Sequence, residues 1–252
     1  MSCGIALICL NNIPGMPDQD GRKVSGWEEF LGAALVFLVS HALPARPGIR
    51  IRLVSLLGRW AYLALYSAVS LALFAWLIIA AGRAPYVWLW FWGPHGLWLA
   101  NGLMALALLL VIVGTAIANP FSLGGLAERA YNPARPGILA VTRHPLLWAM
   151  VLWSLAHLIA NGDLAHMLLF GSLGVFSVVG ILAMETRSRK RSGPQWSQMI
   201  LGTSLVPFAA LLTGKARWRE LLQLRMLLLP VVWGGLILLH RPVVGVSPLP
   251  PV

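Results

Sequence analysis

Charged side chains are scarce in this sequence. Only 11% of its 252 residues are Asp, Glu, Lys or Arg, whereas a soluble globular domain normally carries about 25%. Hydrophobic residues make up 58% of the chain, and they gather in several runs that are long enough to cross a lipid bilayer. The scarcity of charge therefore excludes a water-exposed domain and predicts an integral membrane protein.

Cysteine is almost absent. The two cysteines, Cys3 and Cys9, lie near the N-terminus, so they provide neither a disulfide framework nor a CxxC metal motif. A phosphate-binding glycine loop and an HExxH motif are also missing. The apolar stretch Gly4–Leu10 is short and has no basic region or cleavage site, which argues against a signal peptide. We expect residues 1–26 to form a poorly ordered extension and residues 27–252 to form the membrane domain.

Six apolar segments predict transmembrane helices: Trp27–Leu43, Trp60–Ala81, Gly96–Ala118, Pro145–Ala160, Leu164–Met184 and Leu221–Leu239. Each approaches the ~20 residues that cross the hydrocarbon core, except the first and fourth, which are short. A further segment, Gly193–Gly214, mixes apolar with Gln, Ser and Thr residues and contains Pro207. We read it as an interfacial or re-entrant helix, with a seventh span as the alternative. The expected fold is an all-α polytopic membrane protein with about six transmembrane helices plus that helix.

Lysine and arginine are concentrated on one side of this topology. The net charge of +11 comes mainly from the loops after the first, third and fifth spans and from the segment after Gly214. The positive-inside rule places these regions in the cytoplasm of a bacterium and both termini on the periplasmic side of its inner membrane. Because the basic residues lie between apolar segments, we expect them to face membrane lipid and we do not expect nucleic-acid binding.

Histidines occur in and beside the predicted spans, where an ionisable side chain is costly and often functional. His41 ends an inward-running helix and His144 begins an outward-running one, so the two lie at similar depths. His157 follows His144 by 13 residues, which is roughly 20 Å along one helix axis. His144 and His157 therefore cannot coordinate the same metal ion. The topology allows His41 with His144 as one pair, and His157 with His240 or His95 as another.

Several motifs occur in order along the chain, from about Leu31 to Pro250: "FLVSHALPARPGIRIRLVSLLGRW", "TRHPLLWAMVLWSLAHLIANGDL", "TSLVPFAALLTG" and "HRPVVGVSPLP". Together they resemble the NnrU family of membrane proteins. The resemblance implies a link to denitrification, through the expression of nitrite and nitric oxide reductases. The family is also related to zeta-carotene isomerase, which implies a membrane protein that uses haem b to isomerise a cis double bond.

The kinship with zeta-carotene isomerase implies roles for four residues of this chain. His41 and His144 are the predicted ligands of the haem iron, with His157 as an alternative ligand or a switching or substrate-facing residue. Arg143 would pair with a haem propionate, because a guanidinium binds a carboxylate bidentately. The substrate would be an apolar polyene or another lipid-soluble molecule that enters from the bilayer.

Two other functions remain open from the sequence. The first is a non-catalytic membrane factor that supports nitrogen-oxide reductase assembly through a protein partner. The second is a methyltransferase-like enzyme, because the Arg143-His144-Pro145 motif is similar to an element that binds S-adenosylmethionine in isoprenylcysteine carboxyl and phospholipid methyltransferases. Those enzymes usually carry an acidic pair after the following span, where this chain has only Glu185. Whether the chain is an enzyme is therefore left open, and a haem-dependent cis–trans isomerase is the form expected if it is one.

Overall fold

The computed structural model describes residues 25–115, 117–122, 131–218 and 223–250. The predicted N-terminal extension and its cysteines lie outside these ranges, apart from two residues at the extension's end. Regular structure in the described ranges is helical, with one isolated β-bridge between Trp88 and Asp163. The main helices are α1 (Ser25–Ala45), α2 (Pro47–Leu57), α3 (Arg59–Arg83), α4 (Gly93–Gly114), α5 (Pro145–Ala160), α6 (Leu164–Ser192) and α7 (Leu229–Val244). The predicted all-α fold is confirmed.

Within the described ranges, 5 helices are long and apolar enough to cross a membrane: Gly26–Pro44, Arg59–Arg83, Gly93–Gly114, Leu164–Met199 and Leu224–Val244. The fourth predicted span is α5, which has only 16 residues and extends about 24 Å. That length falls short of a hydrocarbon core of roughly 30 Å. The chain is a multi-pass membrane protein whose helix count lies close to the predicted six.

Some helix boundaries differ from the predicted ones. Helix α6 continues from the predicted end at Met184 to Ser192, because Glu, Arg and Lys are good helix formers and the first breakers are Gly193 and Pro194. Its last turn carries three basic residues, which complement the negative end of the helix dipole. Helix α2 was not predicted, because Arg50 and Arg52 interrupt its apolar pattern.

The segment from residue 193 to 214 differs from the predicted single helix. It contains a 3-10 turn at Gly193–Gln195 and two four-residue helices, Trp196–Met199 and Ala209–Leu212. Between the two short helices the chain buries Thr203 and Ser204. These hydroxyl groups hydrogen-bond to backbone carbonyls, which holds the segment as a folded loop. The alternative of a seventh span does not fit this conformation.

The chain divides into two compact units, and the described part of the first comprises residues 25–90 and 163–169. Here α1 packs against α3. The Tyr62 hydroxyl donates to the Pro44 carbonyl at 3.1 Å, and Glu29 accepts a hydrogen bond from Arg83 at 3.2 Å. These polar contacts stabilise the packing of α1 against α3 near both ends of the helix pair.

The described part of the second unit comprises residues 91–162 and 170–250. Helix α4 packs along α5, and Gly114 lies against Pro145. A β-carbon added at Gly114 would fall 2.6 Å from Pro145 Cβ, so the close approach of the two helices requires glycine there. Val113, Phe121 and Leu139 are buried and belong to the hydrophobic core of this unit.

Candidate functional site

An ion pair joins the start of α5 to the later part of α6. Arg143 Nε donates to Glu185 Oε2 at 3.1 Å, and Arg143 Nη2 donates to Glu185 Oε1 at 2.5 Å. The side chains are only 8% and 17% exposed. A bidentate arginine–carboxylate pair is among the stronger polar contacts in proteins. The pair neutralises both charges where little water reaches them.

Two further groups complete the surroundings of the Arg143 guanidinium. Its Nη1 donates to the Thr203 hydroxyl at 3.0 Å, and its Cζ lies 5.8 Å from the centroid of the Trp196 ring. A cation over an indole face is attracted by the ring quadrupole. The guanidinium is therefore committed to protein partners in this conformation, and a haem propionate would have to compete with Glu185 for it.

His144 is completely buried, with 0% of its side chain exposed. Its Nε2 lies 3.0 Å from Glu185 Oε2, so an ionised Glu185 requires the proton on Nε2. Its Nδ1 is buried and has no hydrogen-bond partner in the described part of the chain. His144 thus shares one carboxylate with Arg143 and helps to orient it.

The backbone around Arg143 is held by two loops. Arg143 N donates to Ser204 O at 2.7 Å, and Asn119 Nδ2 donates to Arg143 O at 3.1 Å. The next residue but one is Pro145, which occupies the first turn of α5, where proline needs no amide donor. These contacts fix the position from which Arg143 and His144 reach Glu185.

His157 lies in the last turn of α5. Its Nδ1 lies 2.8 Å from Trp153 O. A carbonyl only accepts hydrogen bonds, so Nδ1 carries the proton and Nε2 of the neutral ring carries the lone pair. The ring centroid is 4.7 Å from the Trp153 ring and 4.7 Å from the Phe170 ring. The imidazole is thereby held in one tautomer and one orientation.

His41 belongs to the first unit and lies on α1. Its ring centroid is 4.9 Å from Phe37 and 5.5 Å from Tyr66. Its Nδ1 is buried without a hydrogen-bond partner among the described residues. An unpartnered buried nitrogen is unusual in a folded protein, and it makes His41 a candidate ligand on the geometry of this unit alone.

Two of the other histidines have local hydrogen bonds. His166 Nδ1 lies 2.6 Å from Asp163 Oδ2, and Asp163 Oδ1 accepts the backbone N–H of His166 at 3.2 Å. Burial acts to raise the pKa of Asp163, but its hydrogen bonds and charge interaction with His166 outweigh burial and lower that pKa overall. His240 Nδ1 lies 2.8 Å from Val246 O. Asp163 thus caps α6, as the Asn-Gly-Asp sequence at this corner indicates.

Tyr131 lies in the loop before α5. Its hydroxyl donates to Met199 O at 3.1 Å, and its ring meets that of Phe121 edge to face. Burial raises the pKa of Tyr131 to about 12, although the Arg143 charge acts in the opposite direction. The hydroxyl therefore remains protonated and serves as a donor that fixes the 193–214 loop.

A groove opens beside the Arg143–Glu185 pair. Its volume is about 670 Å³, and it is lined by Glu185, Thr186, Arg189, Lys190, Gly193, Pro194, Trp196 and Ser197. Glu185 and Arg189 are four residues apart on α6, which places them on one face of its C-terminal end. The short helix that carries Trp196 and Ser197 forms the facing wall.

Arg143 and His144 were predicted site residues, whereas Glu185 had a role only in the methyltransferase hypothesis. The structure brings Arg143 and Glu185 together, but their hydrogen bonds are made to each other and not to a cofactor. Thr203 and Asn119 were missed as partners. The signals were present, because Thr203 opens the motif "TSLVPFAALLTG" and Asn119 precedes a proline after the third predicted span.

Comparison with known proteins gives two findings. The family described as NnrU protein matches residues 29–248. Over 81 residues, 31% of this chain, the sequence is 32% identical to the 15-cis-zeta-carotene isomerase, chloroplastic, of Arabidopsis thaliana. The matched stretch covers 22% of the isomerase, so the similarity concerns about a fifth of that protein. No solved structure matches the chain.

Proposed function

This chain belongs to the NnrU family, and on that premise we propose that it is a membrane haem b protein with chemistry of the cis–trans isomerase type. The observation that carries the proposal is the state of His157, whose Nδ1 is tied to a backbone carbonyl at 2.8 Å. The similarity to a carotene isomerase supports it. The substrate class is an apolar polyene or another lipid-soluble molecule that reaches the protein through the bilayer.

His157 has the arrangement that an iron ligand needs. Histidines that bind metals usually donate one ring N–H to a carbonyl or carboxylate, which fixes the tautomer and raises the basicity of the other nitrogen. In His157 the bond to Trp153 O leaves the lone pair on Nε2. The flanking Trp153 and Phe170 rings restrict rotation of the imidazole. The bond from Nδ1 to Trp153 O would persist if Nε2 of His157 held an iron.

His144 fits the same role less well. Its Nε2 is occupied by Glu185 at 3.0 Å, and the ring is fully buried. Iron binding at Nε2 would break a contact to a carboxylate that also holds Arg143. We therefore assign His144 and Arg143 to the positioning of α5, and we take His157, the alternative from the sequence, as the preferred ligand.

His41 keeps its predicted role as a ligand, judged within the first unit alone. Its Nδ1 is buried without a partner among the described residues, and the Phe37 and Tyr66 rings hold the imidazole. A bound haem b would supply an iron centre that can change its oxidation state. A histidine that bound this iron would set its electron density by its tautomer. Because the predicted topology puts His41 at the depth of His144, roughly 20 Å from His157, His41 and His157 would not share one iron.

The cellular setting is part of the proposal. We place the protein in the inner membrane of a bacterium with both termini on the periplasmic side, because the basic residues cluster on the opposite side of the predicted topology. The link to nitrite and nitric oxide reductase expression, including a protein partner in their assembly, stays a prediction of the family resemblance.

The test is the absorbance spectrum of detergent-purified protein from haem-replete cells, oxidised and then reduced with dithionite. We expect a Soret band and sharp α and β bands in the reduced state. His157→Ala should lose or shift these bands, and His41→Ala measures the contribution of the first unit. Spectra of His144→Ala test the predicted ligand that the proposal sets aside.

His240→Ala tests the second pair that the predicted topology allows, His157 with His240. His240 also bonds a carbonyl through Nδ1 at 2.8 Å, but the Val246 partner belongs to an exposed C-terminal stretch. Its replacement should leave the spectrum intact. A featureless visible spectrum of the wild-type protein would overturn the haem proposal and favour the non-catalytic membrane factor. An unchanged spectrum of His157→Ala would remove His157 as a ligand.

A further inference from the structure

The groove at the C-terminal end of α6 has a polar floor and a basic rim. The floor is Glu185, whose two carboxylate oxygens are taken by Arg143 and His144. The rim is formed by Arg189 and Lys190, both exposed. A volume of about 670 Å³ lies within the usual range of small-ligand sites, roughly 300 to 1,000 Å³.

The charges in this groove do not cancel. Arg143 neutralises Glu185 by direct pairing, so the floor is close to neutral. Arg189 and Lys190 form no ion pair with a carboxylate in the ranges that the structure describes. Their two positive charges therefore dominate the rim, and an anion entering the groove would gain attraction from both.

Basic residues in the last turn of a helix are often there only to complement the helix dipole. The last turn of α6 contains three such residues, Arg189, Lys190 and Arg191. Arg191 already donates to the Pro120 carbonyl and does not line the groove. Arg189 and Lys190 differ because they border a cavity together with the Trp196 ring and the Ser197 hydroxyl.

We propose that this groove binds a phosphate group, carried by an acidic lipid head group or by a free phosphate. Lysine and arginine are the side chains that bind phosphate most strongly, and a hydroxyl supplies a further donor. The Thr186 hydroxyl already donates to Leu182 O, so Ser197 is the hydroxyl assigned to the ligand. The Trp196 ring offers an apolar wall to the part of a lipid next to its phosphate. The site is independent of the haem proposal.

The test measures binding by isothermal titration calorimetry on the full-length protein in a neutral detergent. The two probes are dihexanoyl phosphatidic acid and inorganic phosphate. Arg189→Gln with Lys190→Gln should weaken binding about thirty-fold, given roughly fivefold for each basic residue near an anionic head group. Ser197→Ala should weaken it about fivefold, the loss of one hydrogen bond.

The matched control is Arg187→Gln with Arg217→Gln. It removes two positive charges from exposed positions outside the groove, and it should change binding less than twofold. Equal losses in both double variants would show general electrostatic attraction and overturn the site. So would the absence of binding by either probe to the wild type, or wild-type affinity in the Arg189→Gln, Lys190→Gln variant with unchanged circular dichroism.

The two probes separate the sources of the phosphate. Binding of phosphatidic acid alone assigns the groove to a lipid head group, and binding of both probes with similar affinity assigns it to the phosphate itself. Both outcomes support the proposal when the groove variant loses the binding.

Discussion

Arg143 and Glu185 lie 42 positions apart in the chain and face each other through two hydrogen bonds. The same carboxylate also contacts His144 at 3.0 Å. Replacement of Glu185 by Ala would leave a guanidinium that is only 8% exposed without its counter-charge. We expect Glu185→Ala to lower the free energy of unfolding by about 3 kcal/mol, as removal of one partner of a buried pair does. A thermal melt followed by circular dichroism measures this.

Glu28→Ala is the control for that experiment. Glu28 is exposed near the start of α1, and loss of a surface charge changes stability by less than about 0.5 kcal/mol. Equal melting temperatures of Glu185→Ala and Glu28→Ala would show that the pair does not stabilise the fold.

Gly114 and Gly102 offer a matched pair of substitutions on α4. A β-carbon at Gly114 would come within 2.6 Å of Pro145 Cβ, whereas nothing lies within 4 Å of one at Gly102. We expect Gly114→Ala to destabilise the protein by about 1 to 3 kcal/mol, the usual cost of overpacking. Gly102→Ala should be neutral or slightly stabilising, because alanine is the better helix former. The melting temperatures of the two variants test this prediction. A melting temperature of Gly114→Ala equal to or above that of Gly102→Ala would contradict it.

The Asp163–His166 pair, at the corner between α5 and α6, predicts that the stability of the protein depends on pH in the acidic range. Because the folded state lowers the pKa of Asp163, the pair stabilises the protein above the ordinary aspartate pKa of about 4, and this contribution fades as pH falls through the lowered value. Asp163→Asn keeps a capping side chain but loses the charge. We expect it to be about 1 kcal/mol less stable at pH 7, with the difference shrinking below about pH 4. A constant difference across melts at pH 7, 5 and 3 would contradict the pairing.

The raised pKa of Tyr131 predicts that the stability of the fold depends on pH in the alkaline range. Its pKa is raised to about 12 in the folded state, so its hydroxyl stabilises the fold fully below the unfolded value near 10 and loses that effect as pH rises towards 12. Tyr131→Phe should cost about 1 kcal/mol at neutral pH, the loss of one hydrogen bond. The gap between wild type and variant should narrow above about pH 10.

Tyr86→Phe is the control for the alkaline series. Tyr86 is 43% exposed, so its replacement should leave the stability curve parallel to that of the wild type. Absorbance at the tyrosinate band during the same titration reports the late ionisation directly. An ordinary tyrosine titration at position 131, found by difference between wild type and Tyr131→Phe, would refute the buried donor.

The sequence was informative where the controlling interactions are local. Pro145 predicts the start of α5, and Asp163 predicts the cap of α6, because each acts within one helical turn. The apolar runs predict the membrane helices, because the bilayer imposes both length and composition. Helix α2 was missed because two arginines break its apolar pattern, and the pattern is the only local signal.

The site was less predictable because its contacts join distant positions. Arg143 was named from its motif, but its partner Glu185 lies 42 residues away, and no local pattern connects them. Thr203 approaches Arg143 only after the 193–214 segment folds as a loop. The Nδ1 bond of His157 to Trp153 spans one helical turn, so the tautomer follows once α5 is known to be helical.

The length of α6 determines how deep its charges lie in the bilayer. The helix has 29 residues, which extend about 43 Å. Glu185 follows Leu164 by 21 residues, roughly 32 Å along the axis, and an average tilt of about 20° reduces this to about 30 Å of depth. With Leu164 at one boundary of the hydrocarbon, Glu185 reaches the other. The ion pair with Arg143 then lies at the level of the lipid head groups of the opposite leaflet, and the residues of α6 from Met167 to Met184, which cross the apolar interior, carry no charge.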